Sequence, residues 1–521
     1  MRFLLVGINA KYIHSNPAIY SLKAYAEGKT SAEIITAEYT INQQVDYILE
    51  DIYEKHPDAI GFSCYIWNIE IVKKLLPEVI KLLPAVDIFL GGPEVSYNAD
   101  TPKSDFPFIK EIMVGEGERR FLEILKEYEA ENVEKDENSS ISMDDIPFFY
   151  ENEDEDFTNR IIYYESQRGC PFRCSYCLSS IDKSMRYKSL DLVKKDIEFF
   201  LNHRVPQVKF VDRTFNCNHE RTVELLGFIR ENDNGVTNFH FEVAGDIIVN
   251  DEMTQLQAMR AGAVQLEIGV QTTNPKTLEA INRKCNLDAL RENVEKLREN
   301  HNIHLHLDLI AGLPYEDYDS FKNSFNDVYN MKPDQLQLGF LKLLKGTQID
   351  LEKDRFGIVA RDYPPYEVMF TDFISFDELS ELKKVEEMVE LYYNSAQFTT
   401  TIPLLIDYFD TPFDFYHALA MYYEKKQYFL KSPARSRKYE ILLEFAGNIA
   451  EESEGLLNKG NAMDADFVEK IREALTLDYY LREKPKSKPD FVRNVPGVEF
   501  DYEHRDPITG NFYMKNKERF L

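Results

Sequence analysis

Cysteine is scarce, with six in 521 residues. That density excludes a disulfide framework, which belongs to short secreted chains. Cys64, Cys217 and Cys285 are scattered, and each is expected to be buried as a small apolar side chain. Basic residues are also in short supply: 61 lysines and arginines face 90 aspartates and glutamates, for a net charge of −29. A surface of that sign repels nucleic acid phosphates and anionic bilayers, so neither nucleic acid nor membrane is expected as a partner. Solubility accounts for most of the charge. No apolar run approaches the ~20 residues that a membrane span needs. The chain opens on a strand-like run at residues 2–8, without the basic segment and cleavage site of a leader.

What is present is ample apolar material and one dense motif. The chain is 44% hydrophobic and 13% aromatic, enough for the ~2–4 domains that its length implies. The other three cysteines, Cys170, Cys174 and Cys177, fall within QRGCPFRCSYCL at residues 167–178, spaced C-x3-C-x2-C. An apolar strand-like run at 161–166 leads into them. A zinc site would want a fourth ligand, often from a second C-x2-C or a Cys/His pair, and none follows. A four-iron cluster that only carries electrons takes four cysteines. Three thiolates hold three corners and leave one iron open to a ligand. Tyr176 is an aromatic placed to cover such a cluster.

This spacing and the penultimate aromatic resemble the radical S-adenosylmethionine (SAM) superfamily. The resemblance implies a 4Fe-4S cluster whose open iron chelates the amino and carboxylate groups of SAM. It also implies reductive cleavage to methionine and a deoxyadenosyl radical. An oxygen-sensitive cluster in turn implies a reducing cytoplasm and a reductant such as a flavodoxin or ferredoxin.

The fold class expected is α/β: a flavodoxin-like doubly wound parallel sheet, then a partial (β/α)6 TIM barrel, then a mostly helical C-terminal cap. Over residues 1–130, strand-like runs (RFLLVGI, AEIITAEY, DAIGFSCY, DIFLGG, KEIMVGEG) alternate with helical ones at 17–27, 42–55, 69–83 and 118–131. Ligands of such sheets bind at the carboxyl ends of the strands. The loops there are 9–17, 63–68, 91–97 and 115–118, with Gly91, Gly92, Gly115 and Gly117 allowing close backbone approach.

With the cysteine loop downstream, this block resembles the cobalamin-binding domain that precedes many radical SAM cores, with LGGPEVS and VGEGE in the matching places. The resemblance implies cobalamin contacts at Asn9, His14, Ser63, Tyr65, Gly91, Gly92, Pro93, Glu94, Gly115, Glu116 and Gly117. The D-x-H-x-x-G pattern of proteins that ligate cobalt from below is missing. NAKYIHSNP stands there instead, so His14 reads as a pocket residue rather than a cobalt ligand. A module of this fold without cofactor is the plainer alternative.

Residues 131–160 are acidic and aperiodic, an exposed linker whose IPFF core docks on a surface. Residues 161–350 hold six more strand-like runs, separated by helical stretches at 190–203, 220–231, 251–261, 275–300 and 318–331. They resemble the radical SAM partial barrel, which places chemistry at the carboxyl ends of its strands. Candidates for SAM contacts are Tyr176, Asp212, Glu242, Glu267, Gln271, Gly312 and Pro314; by resemblance an acid on the third or fourth strand takes the ribose diol and the GLP turn lies near adenine. Each has an ordinary reading as an ion pair or cap. Arg213 is a candidate for a carboxylate of SAM or substrate. His304, His306 and Asp308 share one strand face and read as packed, hydrogen-bonded barrel residues rather than a second metal site.

Residues 351–521 read as a helical domain dense in Tyr and Phe, expected to lid the barrel or to form its own core. A basic run, KPKSK, and a hairpin at DPITGNFY follow, and this end resembles the C-terminal extension of one bacterial subgroup of cobalamin-dependent radical SAM proteins. The expected activity is methylation of an unactivated carbon of a small molecule, with the residues acting on the substrate left open. The alternatives are a non-methylating rearrangement or oxidation, an RNA methylthiotransferase-like enzyme, and a non-catalytic cobalamin or redox sensor.

Overall fold

The computed structural model describes every residue except 98, 130–140, 152–158, 183, 452–465, 485–488, 494–498 and 516–521. Much of the acidic linker and nearly all of KPKSK lie outside the described residues. The chain forms two compact units. One comprises Met1–Val243, Ile281–Arg283 and Lys342–Val368; the other comprises Ala244–Ala280, Lys284–Leu341 and Met369–Leu521. The stretch 161–350, read as one barrel segment, is divided between them.

In the first unit, β1 (Arg2–Asn9), β2 (Glu33–Thr40), β3 (Ala59–Ser63), β4 (Asp87–Gly91) and β5 (Ile109–Met113) form a parallel sheet in the order β2-β1-β3-β4-β5. This is the flavodoxin-like order. β1 is apolar from Phe3 to Ile8, as a strand covered on both faces requires. Leu4, Val6 and Ile8 join one core with Val72, Leu75 and Val79, which recur at helical spacing in Ile69–Leu82. Phe3 and Leu5 join a second core with Ile19 and Phe121. Buried Asn68 fixes the loop after β3: it accepts from the Tyr65 amide and donates to the Ile8 and Ser63 carbonyls.

Strands Ile162–Tyr164, Gln207–Phe210 and Asn238–Val243 run parallel in the same unit, packed by Tyr164, Phe210 and Phe241. The IPFF segment docks as the sequence implies: Phe148 lies edge-on to Phe199 and Phe200, and Phe149 stacks on Tyr20.

The second unit holds parallel strands Val264–Gln271, Ile303–Ala311 and Gln335–Phe340, then helices from Phe376 onward and the expected hairpin, Phe500–Arg505 with Phe512–Met514. One expectation is corrected. The helix read over 275–300 is two, Pro275–Ala280 and Leu287–Arg298, because Asn286 caps the second by accepting from the Ala289 amide. The aromatic block forms its own core, one of the two readings of its composition. Tyr392, Tyr416, Tyr423 and Tyr439 are fully buried, and Phe413 packs edge-on to Phe325 of helix Tyr318–Asn330. These large rings are the core of the helical bundle itself. His306 is buried and lies 3.0 Å from Asp308. No helix of the described residues is long and apolar enough to cross a membrane.

Asp478 ties the bundle together, accepting from the amides of Thr400 and Thr401 at 2.8 Å each and from the Thr401 hydroxyl at 2.7 Å. Asp478→Ala leaves these donors unpaired and is expected to cost about 3–5 kcal/mol, read as a lower melting transition. Burial pushes this carboxyl up to about 6, against about 3.9 unfolded. Between those values the native state holds the extra proton, so its contribution falls as pH rises from about 4 to about 6. The stability gap between the parent and Asp478→Ala is therefore expected to narrow over that window.

Candidate active site

The cysteine loop leaves the strand Ile162–Tyr164 through a turn held by one buried acid. Asp212 accepts from the Ser166 amide (2.8 Å), the Ser166 hydroxyl (2.5 Å) and the Gln167 amide (3.1 Å). Gln167 in turn donates through Nε2 to the Thr214 carbonyl at 2.8 Å. Gly169 follows with φ +93°, and a Cβ there would sit 2.1 Å from the Ser184 carbonyl oxygen, so only glycine lets the loop pass. Asp212, expected among the SAM contacts, is thus a loop-positioning residue, fully buried with both oxygens engaged.

The loop is pinned at its far side by two segments distant in sequence. The Ser175 amide donates to the Ile281 carbonyl, and the Ser175 carbonyl accepts from the Ile349 amide, both at 2.9 Å. Asn282 donates to the Arg173 carbonyl at 2.9 Å. Arg283 then reaches the Cys174 sulfur at 3.5 Å and the Tyr176 hydroxyl at 3.3 Å. The sequence reading missed Arg283. Its signal was the polar NRKCN run that interrupts the helical pattern.

Cys170 lies 3.6 Å from the Thr214 hydroxyl. Burial pushes its thiol up, and nearby Cys177 and Cys174 push it further. Among the described residues, no three His, Cys, Asp or Glu groups are set to hold a single metal ion. A four-iron cluster binds each thiolate to a different iron and needs them spread more widely.

Beside this loop the first unit contains a cavity of about 1090 Å³, at the top of the ~300–1,000 Å³ range of ligand pockets. One wall is built from the loops after the sheet strands. Ten of the eleven cobalamin candidates line it: Asn9, His14, Ser63, Tyr65, Gly91, Gly92, Pro93, Gly115, Glu116 and Gly117. Glu94 does not; it accepts from the Tyr366 hydroxyl, and burial raises its pKa. A Cβ on Gly92 would meet the Cys64 carbonyl at 2.5 Å, whereas one on Gly115 would meet nothing within 4 Å and point into open space. Trp67, unremarked in the sequence, stacks on Tyr65 at 4.4 Å between ring centroids and donates to the Ile8 carbonyl. His14 bonds through Nδ1 to the Tyr163 hydroxyl at 2.6 Å, and burial lowers its pKa.

The opposite wall carries Glu165, Arg168, Lys209, Arg213 and Glu242 from the strand ends around the cysteine loop. Arg168 joins the two walls, meeting Glu118 at 2.5 Å, Glu165 at 2.9 Å and Glu116 at 3.3 Å. Burial opposes its charge, yet these acids hold its pKa above the ordinary value. Glu242 is the SAM candidate on this wall. Glu267, Gln271, Gly312 and Pro314 belong to the second unit, with Gln271 and Gly312 in left-handed backbone (φ +73° and +89°) at their strand ends.

Residues 4–125 match the family model described as B12 binding domain, residues 164–328 the Radical SAM superfamily, and residues 354–516 "Protein of unknown function (DUF4080)". The chain is similar to "Cobalamin-dependent radical SAM methyltransferase TokK" of Streptomyces tokunonensis, with 26% identity over 59% of this chain and 50% of that one. It is also similar to "2-(S-pantetheinyl)-carbapenam-3-carboxylate methyltransferase" of Streptantibioticus cattleyicolor, with 25% identity over 62% and 52%. It spans about half the length of these curated relatives. Among solved structures, the cobalamin-dependent SAM radical enzyme OxsB with aqua-cobalamin bound matches with a TM-score of 0.61 at 14% identity, over 91% of this chain and 84% of that one. At that identity the likeness is one of fold.

Asp212→Ala removes the acceptor for two amides and a hydroxyl and is expected to release the cysteine loop. Iron retained after anaerobic reconstitution is expected to fall by at least about half, since the lost bonds total a few kcal/mol. Cobalamin uptake, read from the visible spectrum, provides the check that the sheet domain remains folded.

Proposed function

Since the chain belongs to the radical SAM proteins that carry a B12 binding domain, we propose that it is a cobalamin-dependent methyltransferase acting on a small molecule. The single observation that carries this reading is the cavity whose walls come from the sheet-domain loops and from the strand ends around the cysteine loop. Two reactive groups must share a chamber for transfer between them, and proximity supplies much of the rate.

The residues present suit the groups. Cys170, Cys174 and Cys177 would hold the cluster, with Thr214 and Arg283 beside two of the sulfurs. Glu242, Glu267, Gln271, Gly312 and Pro314 remain the proposed SAM contacts, and Tyr176 the aromatic cover. The ten cavity candidates from Asn9 to Gly117 would hold cobalamin, the glycines admitting its bulk against backbone. When bound, these cofactors supply reductive cleavage of a carbon–sulfur bond and a transferable methyl group.

The chain's own part is to orient and to exclude water. Arg168 and its three acids brace the two walls against each other. Tyr65 and Trp67 present a flat apolar face toward the cavity. Arg283 offers a cation beside the Cys174 sulfur and the Tyr176 hydroxyl, where it would offset the negative charge of a thiolate-bound cluster. A reductant such as a flavodoxin or ferredoxin is the implied electron source.

Anaerobic protein loaded with iron, sulfide and cobalamin is expected to convert SAM and dithionite to deoxyadenosine. Cys174→Ala is expected to bring that product to background. With a competent substrate, S-adenosylhomocysteine should accumulate alongside a product heavier by one methylene. Deoxyadenosine without S-adenosylhomocysteine would reject the methyltransferase assignment.

A further inference from the structure

The cations on the cavity wall differ in how they are used. Arg168 is matched by three carboxylates. Lys188 is buried against Asp196 at 2.7 Å. Lys209 projects from the strand Gln207–Phe210, three residues before Asp212. Arg213 stands apart: its side chain is exposed within the cavity wall and has no hydrogen-bond or ion-pair partner among the described residues. In a chain with 90 acids to 61 bases, a wall arginine without an acid beside it is a position kept open.

The backbone beneath Arg213 is rigid. Asp212 on one side holds the cysteine-loop turn, and Thr214 on the other accepts from Gln167 and touches Cys170. The Thr214 hydroxyl donates to the Arg213 carbonyl at 2.8 Å. Phe215, next in line, stacks on Phe241 at 4.0 Å. A held backbone fixes where the guanidinium enters the cavity, as a recognition group carried on a rigid element requires. It also lies within electrostatic reach of Tyr65 on the sheet-domain loop, so it faces the cavity between the two walls.

We propose that Arg213 recognises an oxyanion, a carboxylate or phosphate, carried by the substrate. This rests on the cavity being the reaction chamber. A planar guanidinium pairs such groups through two parallel N–H bonds, which fixes orientation as well as position. The net charge of −29 would repel an anion at long range, so the local cation selects rather than steers.

The test is calorimetric titration of the cluster- and cobalamin-loaded protein, at constant ionic strength, with inorganic phosphate and separately with succinate. Saturable binding of one of them is expected, with the two arms telling phosphate from carboxylate. Arg213→Gln is expected to weaken it about ten-fold or more, and Arg213→Lys to restore part of the loss. Equal affinity in Arg213→Gln, or no saturable binding to loaded parent protein, overturns the proposal. A parallel ten-fold loss of SAM affinity in Arg213→Gln also overturns it, because the anion would then be SAM's own carboxylate. A parent protein that takes up neither cofactor, read by absorbance, sinks the chamber reading and the proposal together.

Discussion

Both oxygens of Asp212 are committed to the turn at Ser166 and Gln167, and everything around the three cysteines is arranged on that anchor. A loop of twelve residues with two half-buried sulfurs and a left-handed glycine has little internal structure to hold it. The carboxylate supplies the missing order by accepting where a strand neighbour would have accepted. Arg221, buried behind the turn, donates to the Ser166 carbonyl at 3.3 Å and completes its hydrogen bonding. With the entry fixed, Ile281–Arg283 and Ile349 have a defined surface on which to close the exit.

Arg168 extends the same constraint to the sheet domain. It follows the anchored turn directly and reaches Glu116 and Glu118 at the mouth of the last sheet loop. Arg186 also meets Glu116. Desolvating these charges is costly, and the cost is offset only while every member is paired. The network therefore favours one relation between the cysteine loop and the glycine loops over many loosely packed ones.

Much of this was legible in the sequence because it depends on local pattern. Alternating strands and helices carry the 2-1-3-4-5 sheet, the C-x3-C-x2-C spacing marks the loop, and the glycine-bearing strand ends mark the cavity. What was not legible depends on contacts between distant residues. Asp212 and Glu94 look like ligand-facing acids in sequence; Ser166 and Tyr366, far along the chain, claim them instead. Arg283 was hidden because residues 275–300 read as one helix across the polar NRKCN run, where the structure breaks it before the Asn286 cap. The tyrosines of the C-terminal domain have the same composition whether they line a pocket or fill a core; their burial decides for the core.

The first unit is assembled from three stretches that end as late as Val368. The sheet domain has all of its strands by residue 113 and emerges before the cysteine loop, in keeping with the tendency of domains to fold in the order of synthesis. The cysteine loop is different. Its Ser175 carbonyl waits for the Ile349 amide, 174 residues further along the chain. The sulfurs thus reach their final arrangement only once the stretch around residue 349 has joined them, so the cysteine motif taken alone is not a finished metal site.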